Sequence, residues 1–272
     1  MSVQRDADGR RWVQAEVEVP GTPEQVWQAI ATGPGISSWF VPSQVEERAD
    51  GKTVSNFGPG MESVGTITAW EPPRRFVVDT PDYGDEGPAT ATEWAVEARD
   101  GGTCVVRVVH RWFADSDAWD DQFVGHTHGW LSFFRVLRLC LAHFADRPLT
   151  PVQAMGIAPE PKEAAWRMLT DALGIAGADV GDRVSSRDGA PRLAGTVEWA
   201  GQPTWPEELL IRLDEPAPGI AHLVPHSMGG QVYVTVRLYL LGDAAGEAPR
   251  WQEWLASTYS QREVSQLPGA AR

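Results

Sequence analysis

At 272 residues the chain is longer than one small core needs and comfortable for two, since domains usually hold about 100 to 150 residues. A net charge of -14 repels nucleic acid and anionic membrane instead of steering toward them. Two cysteines, Cys104 and Cys140, are too few for a disulfide framework, and no apolar run approaches the roughly 18 residues of a membrane span. With no apolar export segment near the start, a cytoplasmic location is expected.

In chain order, Trp12 to Val19 alternates Val13, Ala15, Val17 and Val19 with Gln14, Glu16 and Glu18, the period of a strand with one wet face. Thr22, Pro23 and Gln25 then form a capping-box helix start, and the helix carries Val26, Trp27 and Ile30 inward before stopping at Gly33-Pro34-Gly35. A second short helix is expected over Ile36 to Phe40, ended by Pro42. The period then changes to two. Ser43 to Arg48, Thr53 to Phe57, Ser63 to Trp70, Arg75 to Asp79, Thr90 to Ala98 and Thr103 to Phe113 read as strands divided by Gly, Pro and Asp turns, so the sheet should hold about seven. In the last hairpin Glu93, Glu97, Arg107 and Arg111 mark the outer face, which sends Trp94, Val96, Val106, Val108, His110 and Trp112 inward.

Asp117 to Phe144 reads as one long helix, with Phe123, Thr127, Trp130, Phe134, Leu137, Leu141 and Phe144 on a single stripe. A stripe that broad needs an apolar cover, and a curved antiparallel sheet wrapped around the helix supplies it. The fold class expected is therefore α+β.

Several motifs resolve into ordinary structure. His126 and His128 lie two residues apart on a helix, about 200° around its axis, and so do not share a metal. Asp115, Asp117, Asp120 and Asp121 lack the glycine at position six and the glutamate at position twelve of a calcium loop. His226-Ser227-Met228-Gly229 lacks the first glycine of a nucleophile elbow and reads as a hairpin loop. No phosphate-cradling loop or dinucleotide fingerprint occurs, and no cofactor or metal is expected.

Thr-Pro-Glu-Gln-Val-Trp from Thr22 to Trp27, Gly-Ile-Ser-Ser-Trp-Phe from Gly35 to Phe40, the run Gly65 to Phe76, and Gly-Trp-Leu-Ser-Phe-Phe from Gly129 to Phe134 together resemble one family. It is the START-like helix-grip superfamily, SRPBCC, in the branch named for the heat-shock chaperone ATPase activators. The resemblance covers roughly residues 10 to 147. It implies a sheet gripping a long C-terminal helix, and one such fold hosts many functions. A shift of 139 positions aligns Val13-Gln14-Ala15 with Val152-Gln153-Ala154, Glu24 with Glu163 and Trp27 with Trp166. Further on, Gly65-Thr66-Ile67 matches Gly195-Thr196-Val197, and Gly101-Gly102 matches Gly229-Gly230. The domains expected are therefore 1-147, a helix-grip domain, and 148-272, an eroded copy. The copy's first strand, Met155-Gly156-Ile157, alternates poorly, and its closing helix, Pro249 to Gln261, is about half as long, so a smaller cavity or none should remain there.

The function expected is binding of a small hydrophobic molecule, aromatic ones included, between sheet and long helix of the first domain. Pockets of this kind are apolar with a few placed polar groups. The candidate lining residues are Trp39, Phe40, Phe57, Trp70, Phe76, Trp94, His110, Trp112, Trp130, Phe134 and Leu137. The resemblance leaves two alternatives open. One is a polyketide aromatase or cyclase-like enzyme with His110 as acid or base; the other is an interaction protein like the chaperone activators. A protein partner or homo-oligomer remains compatible with the sequence.

Overall fold

The computed structural model describes residues 4-5, 11-58, 60-81, 89-113, 120-158, 161-202, 205-228 and 230-260, with backbone alone at 120-127 and 228. The chain forms two compact units, Met1–Leu149 and Thr150–Arg272. Both are α+β, and each is built on one antiparallel sheet.

Unit one runs β1 (Gln4–Arg5), β2 (Arg11–Pro20), α1 (Pro23–Ala31), α2 (Gly33–Ser37), β3 (Ser43–Val45), β4 (Lys52–Asn56), β5 (Glu62–Glu71), β6 (Arg75–Thr80), β7 (Thr90–Arg99), β8 (Thr103–Trp112) and α3 (Asp120–Phe144). The sheet order is β1-β2-β8-β7-β6-β5-β4-β3. The long first strand thus pairs with the last, the others meander, and α3 returns across β2. An eighth strand joins the seven expected because β1 adds a two-residue edge beside Arg11 and Trp12, too short for any period to mark.

The capping box at α1 forms as its residues require: Gln25 N–H donates to Thr22 Oγ1, and Thr22 N–H to Gln25 Oε1. The next boundary differs from the sequence expectation. Gly33-Pro34-Gly35 opens α2 instead of only closing α1, because Thr32 Oγ1 donates to Gln28 O and accepts from Gly35 N–H. A side chain at Gly35 would lie 1.9 Å from Gln28 O, so the two helices meet at a corner only glycine allows. The strand expected over Ser43 to Arg48 stops at Val45, since the chain turns through Asp50 at φ 59.

Unit two runs β9 (Thr150–Ala158), α4 (Lys162–Leu173), β10 (Arg183–Ser185), β11 (Ala194–Gln202), β12 (Trp205–Glu215), β13 (Gly219–Met228), β14 (Gln231–Leu240) and α5 (Glu247–Ser260). Its order, β10-β11-β12-β13-β14-β9, repeats the first plan with no counterpart of β1 or β3 among the described residues. A shared backbone detail marks the repeat. Asp50 N–H donates to Ile67 O and Ile67 N–H to Gly51 O; Gly181 N–H donates to Val197 O and Val197 N–H to Asp182 O. The weak alternation at Met155-Gly156-Ile157 belongs to a strand that begins earlier, with Val152, Ala154, Gly156 and Ala158 on the buried face. Gly156 hides that pattern because its place is taken by a ring: a Cβ there would lie 3.1 Å from Tyr259.

Candidate ligand-binding cavity

The register of sheet one sets which residues meet under α3. Ser43, Ser55 and Ser63 stand directly opposite one another on β3, β4 and β5. Two residues along, Val45 opposes Thr53, Thr53 opposes Gly65, and Thr80 opposes Thr90. The next row is Ile67, Val78, Thr92 and His110, and beyond it Phe76 opposes Trp94. Because side chains alternate, all these rows share one face. The outward set is equally consistent, with Arg111 and Arg75 reaching Glu93 at 3.6 and 3.4 Å and Arg107 reaching Glu16 at 3.9 Å.

Small hydroxyl residues on the floor and large rings above leave a cavity of about 190 Å³. Its walls are Ile30 of α1, Ile36 of α2, Phe40, Phe57, and Gly129, Trp130 and Phe133 of α3. The rings brace one another: Phe40 stacks on Trp130 with centroids 5.4 Å apart, Phe76 stacks on Trp94 at 5.9 Å, and Trp94 meets Trp130 edge to face at 5.1 Å. Such contacts add to area burial and hold the walls apart.

Of the residues the sequence put forward, Phe40, Phe57, Phe76, Trp94, His110 and Trp130 line the cavity. Five do not. Trp39 is fully buried behind the wall with its indole N–H donating to Ala29 O at 2.8 Å, and Phe134 and Leu137 join it in the seam beneath α3. Trp112 ends β8 fully buried beside Thr90. The irregularity between Ile67 and Ala69 brings Trp70 opposite Phe76 on the inner face, where it packs against Trp27 and Phe76, at 5.0 and 5.7 Å, instead of lining the cavity.

Sequence reasoning missed the floor hydroxyls and Gly129. Nothing lies within 4 Å of a Cβ built on Gly129, so this glycine keeps one turn of α3 open toward the cavity at some cost in helix propensity. A glycine within an apolar helical stripe was the available signal.

His110 is 7% exposed, with its Nδ1 2.8 Å from the Thr92 hydroxyl, and it is the one titratable side chain among the described lining residues. The thiols lie elsewhere. Burial pushes Cys140 up to about 12 and raises Cys104, whose thiol donates to Gly21 O at 3.3 Å. Among the described residues no group of His, Cys, Asp and Glu could hold a metal ion, and no helix is long and apolar enough to cross a membrane. Asp115 and Asp117, and the side chains of Asp120, Asp121, Phe123, His126 and Thr127, lie outside the described residues, as do Gly229 and the Met228 side chain. His226 and Ser227 sit at the end of β13, leading into the β13–β14 hairpin.

Residues 20–142 match the family model described as Activator of Hsp90 ATPase homolog 1-like protein. The match lies within the first unit and covers most of it. None of the curated proteins matches the chain. Among solved structures, the chain is similar to DynU16 of the dynemicin biosynthetic locus, at 17% identity over 93% of this chain and 97% of that one, TM-score 0.44. It is similar to the di-domain ARO/CYC BexL from the BE-7585A biosynthetic pathway, at 14% identity over 94% and 95%, TM-score 0.44. The Aha1 dimer from Colwellia psychrerythraea matches at 18% identity over 48% of this chain and 95% of that one, TM-score 0.40.

Proposed function

We propose that the N-terminal domain, a helix-grip domain of the Hsp90 ATPase activator-like family, binds a small aromatic molecule between its sheet and α3. The observation that carries this reading is the braced, ring-walled cavity of about 190 Å³. An apolar cavity of about 150 Å³ already admits a benzene-sized guest. Support also comes from the opening at Gly129, where a residue with better helix propensity would intrude. Catalysis with His110 as acid or base is the second reading, favoured by the orientation its ring takes from Thr92.

Native mass spectrometry of freshly purified protein, followed by denaturation to release any guest, tests the first reading. A small-molecule adduct is expected, reduced by Trp130→Ala, which removes a wall ring without touching the floor. A bare mass, together with no tryptophan fluorescence change across a panel of neutral aromatic compounds, would overturn it. Turnover of a bound guest that survives His110→Ala would remove the histidine from any catalytic role.

A further inference from the structure

The cavity is apolar on one side only. Its helix-facing wall is all rings and aliphatic chains, whereas its floor carries Ser43, Thr53, Ser55, Ser63, Thr80, Thr90 and Thr92 on the sheet. Some of those hydroxyls are engaged: Ser43 and Ser55 lie 3.1 Å apart with Ser43 also donating to Val41 O, and Thr92 meets His110. The hydroxyls of Thr53, Ser63, Thr80 and Thr90 have no hydrogen-bond partner among the described residues, although Thr80 and Thr90 are only 8% and 3% exposed. They are also gathered together. A Cβ on Gly65 would lie 2.4 Å from Val78 Cγ1 and 3.1 Å from both Thr53 Oγ1 and Thr80 Oγ1, so that glycine lets the valine and two hydroxyls converge over its backbone.

A buried hydroxyl without a partner is costly, and an apolar guest laid over this floor would leave four in that state. A guest with oxygen atoms along one edge would satisfy them. Among the described residues the lining holds no arginine, lysine, aspartate or glutamate, so an ionised guest would lose its hydration with no fixed countercharge from them. We infer that the cavity selects an uncharged aromatic molecule oxygenated along one edge, its ring among those of Phe40, Trp94 and Trp130 and its oxygens on the Thr53, Ser63, Thr80 and Thr90 hydroxyls. This rests on the binding function proposed above and adds to it the chemical class and orientation of the guest.

Three probes of one ring system separate the alternatives: naphthalene, a naphthalenediol and naphthoate, titrated into the full chain by tryptophan fluorescence. The diol should bind about tenfold tighter than naphthalene, the effect of one or two net hydrogen bonds, and naphthoate should bind most weakly. The Thr80→Val/Thr90→Val double variant should erase the diol's advantage over naphthalene, while Thr80→Ser should retain it. Circular dichroism reports whether the double variant folds, and Thr90→Val alone serves if it does not. A diol no tighter than naphthalene, or an advantage that survives the loss of both hydroxyls, overturns the inference and leaves the binding function standing. Naphthoate binding tightest overturns it too, by locating a positive charge at His110. If none of the three binds, the binding function itself fails.

Discussion

The two units share one plan and finish it differently: the first sheet faces its closing helix across a cavity, and the second is filled. The reason lies in what the floors are made of. In unit two the buried face carries Val197, Leu209, Ile211, Leu213, Leu223, Val232, Val234, Val236 and Leu238, and these meet Leu169, Leu173, Trp251 and Leu255 from the helices. Branched chains on the sheet reach the helices; serines and threonines do not. Glycine also works in opposite senses. Gly156 admits the ring of Tyr259, whose hydroxyl donates to Ala165 O at 3.1 Å, whereas Gly129 leaves space. A short closing helix therefore need not mean an open sheet, and a long one need not mean a closed core.

The largest effect that would sharpen this contrast is expected in the filled unit. Trp251→Ala removes a fully buried side chain and should cost about 3 to 5 kcal/mol, read as early loss of hydrogen-exchange protection in β12 to β14, with β5 to β8 unaffected. The equivalent change at the cavity wall, Trp130→Ala, should cost less, since that ring already borders empty space. Equal losses in both units would break the comparison.

A second test uses acid. Burial, with the positive charge of Arg237 adding to it, lowers His226 from 6.5 to about 4. A depressed folded value means that unit two has this contribution in full above pH 6.5 and loses it as pH falls toward 4, because the unfolded chain takes up the proton first. Thermal melts over that range should show unit two weakening, and His226→Gln should flatten the slope. An unchanged slope in the variant would assign acid sensitivity to the carboxylates.

The smallest effect is the most diagnostic of the cavity. Gly129→Ala should stabilise α3 by up to about 1 kcal/mol while weakening guest binding, a gain in melting temperature with a loss of affinity. In a filled domain the same change in mid-helix would overpack. A variant that melts lower and binds as well as before would mean that Gly129 does not border the guest.

Much of this was legible in the sequence. Alternation placed His110, Trp94 and Trp112 on the inner face, and the outward pairing of Arg75, Arg107 and Arg111 follows from the same period. The capping box located the start of α1 to the residue. What the pattern could not carry was depth. An inward residue lines the cavity or lies behind its wall according to the rows opposite it, which is why Trp39, Phe134 and Leu137 read as lining and pack as seam. Serine and threonine on an inner face look polar to any hydropathy count, so the floor was invisible as a floor. The second helix was expected, but its start was misplaced for a similar reason: Gly-Pro-Gly signals a break, and only the Thr32 bonds and the crowding at Gly35 show that α2 begins there.

The indole network has an optical consequence. Trp27 lies 5.0 Å from Trp70, Trp39 lies 6.0 Å from Trp94, and Trp94 lies 5.1 Å from Trp130. At such spacings excitation absorbed by one indole passes to its neighbours before it is emitted. A guest touching only Trp94 and Trp130 would therefore darken rings it never meets, and the domain's own ultraviolet emission would report occupancy without a label.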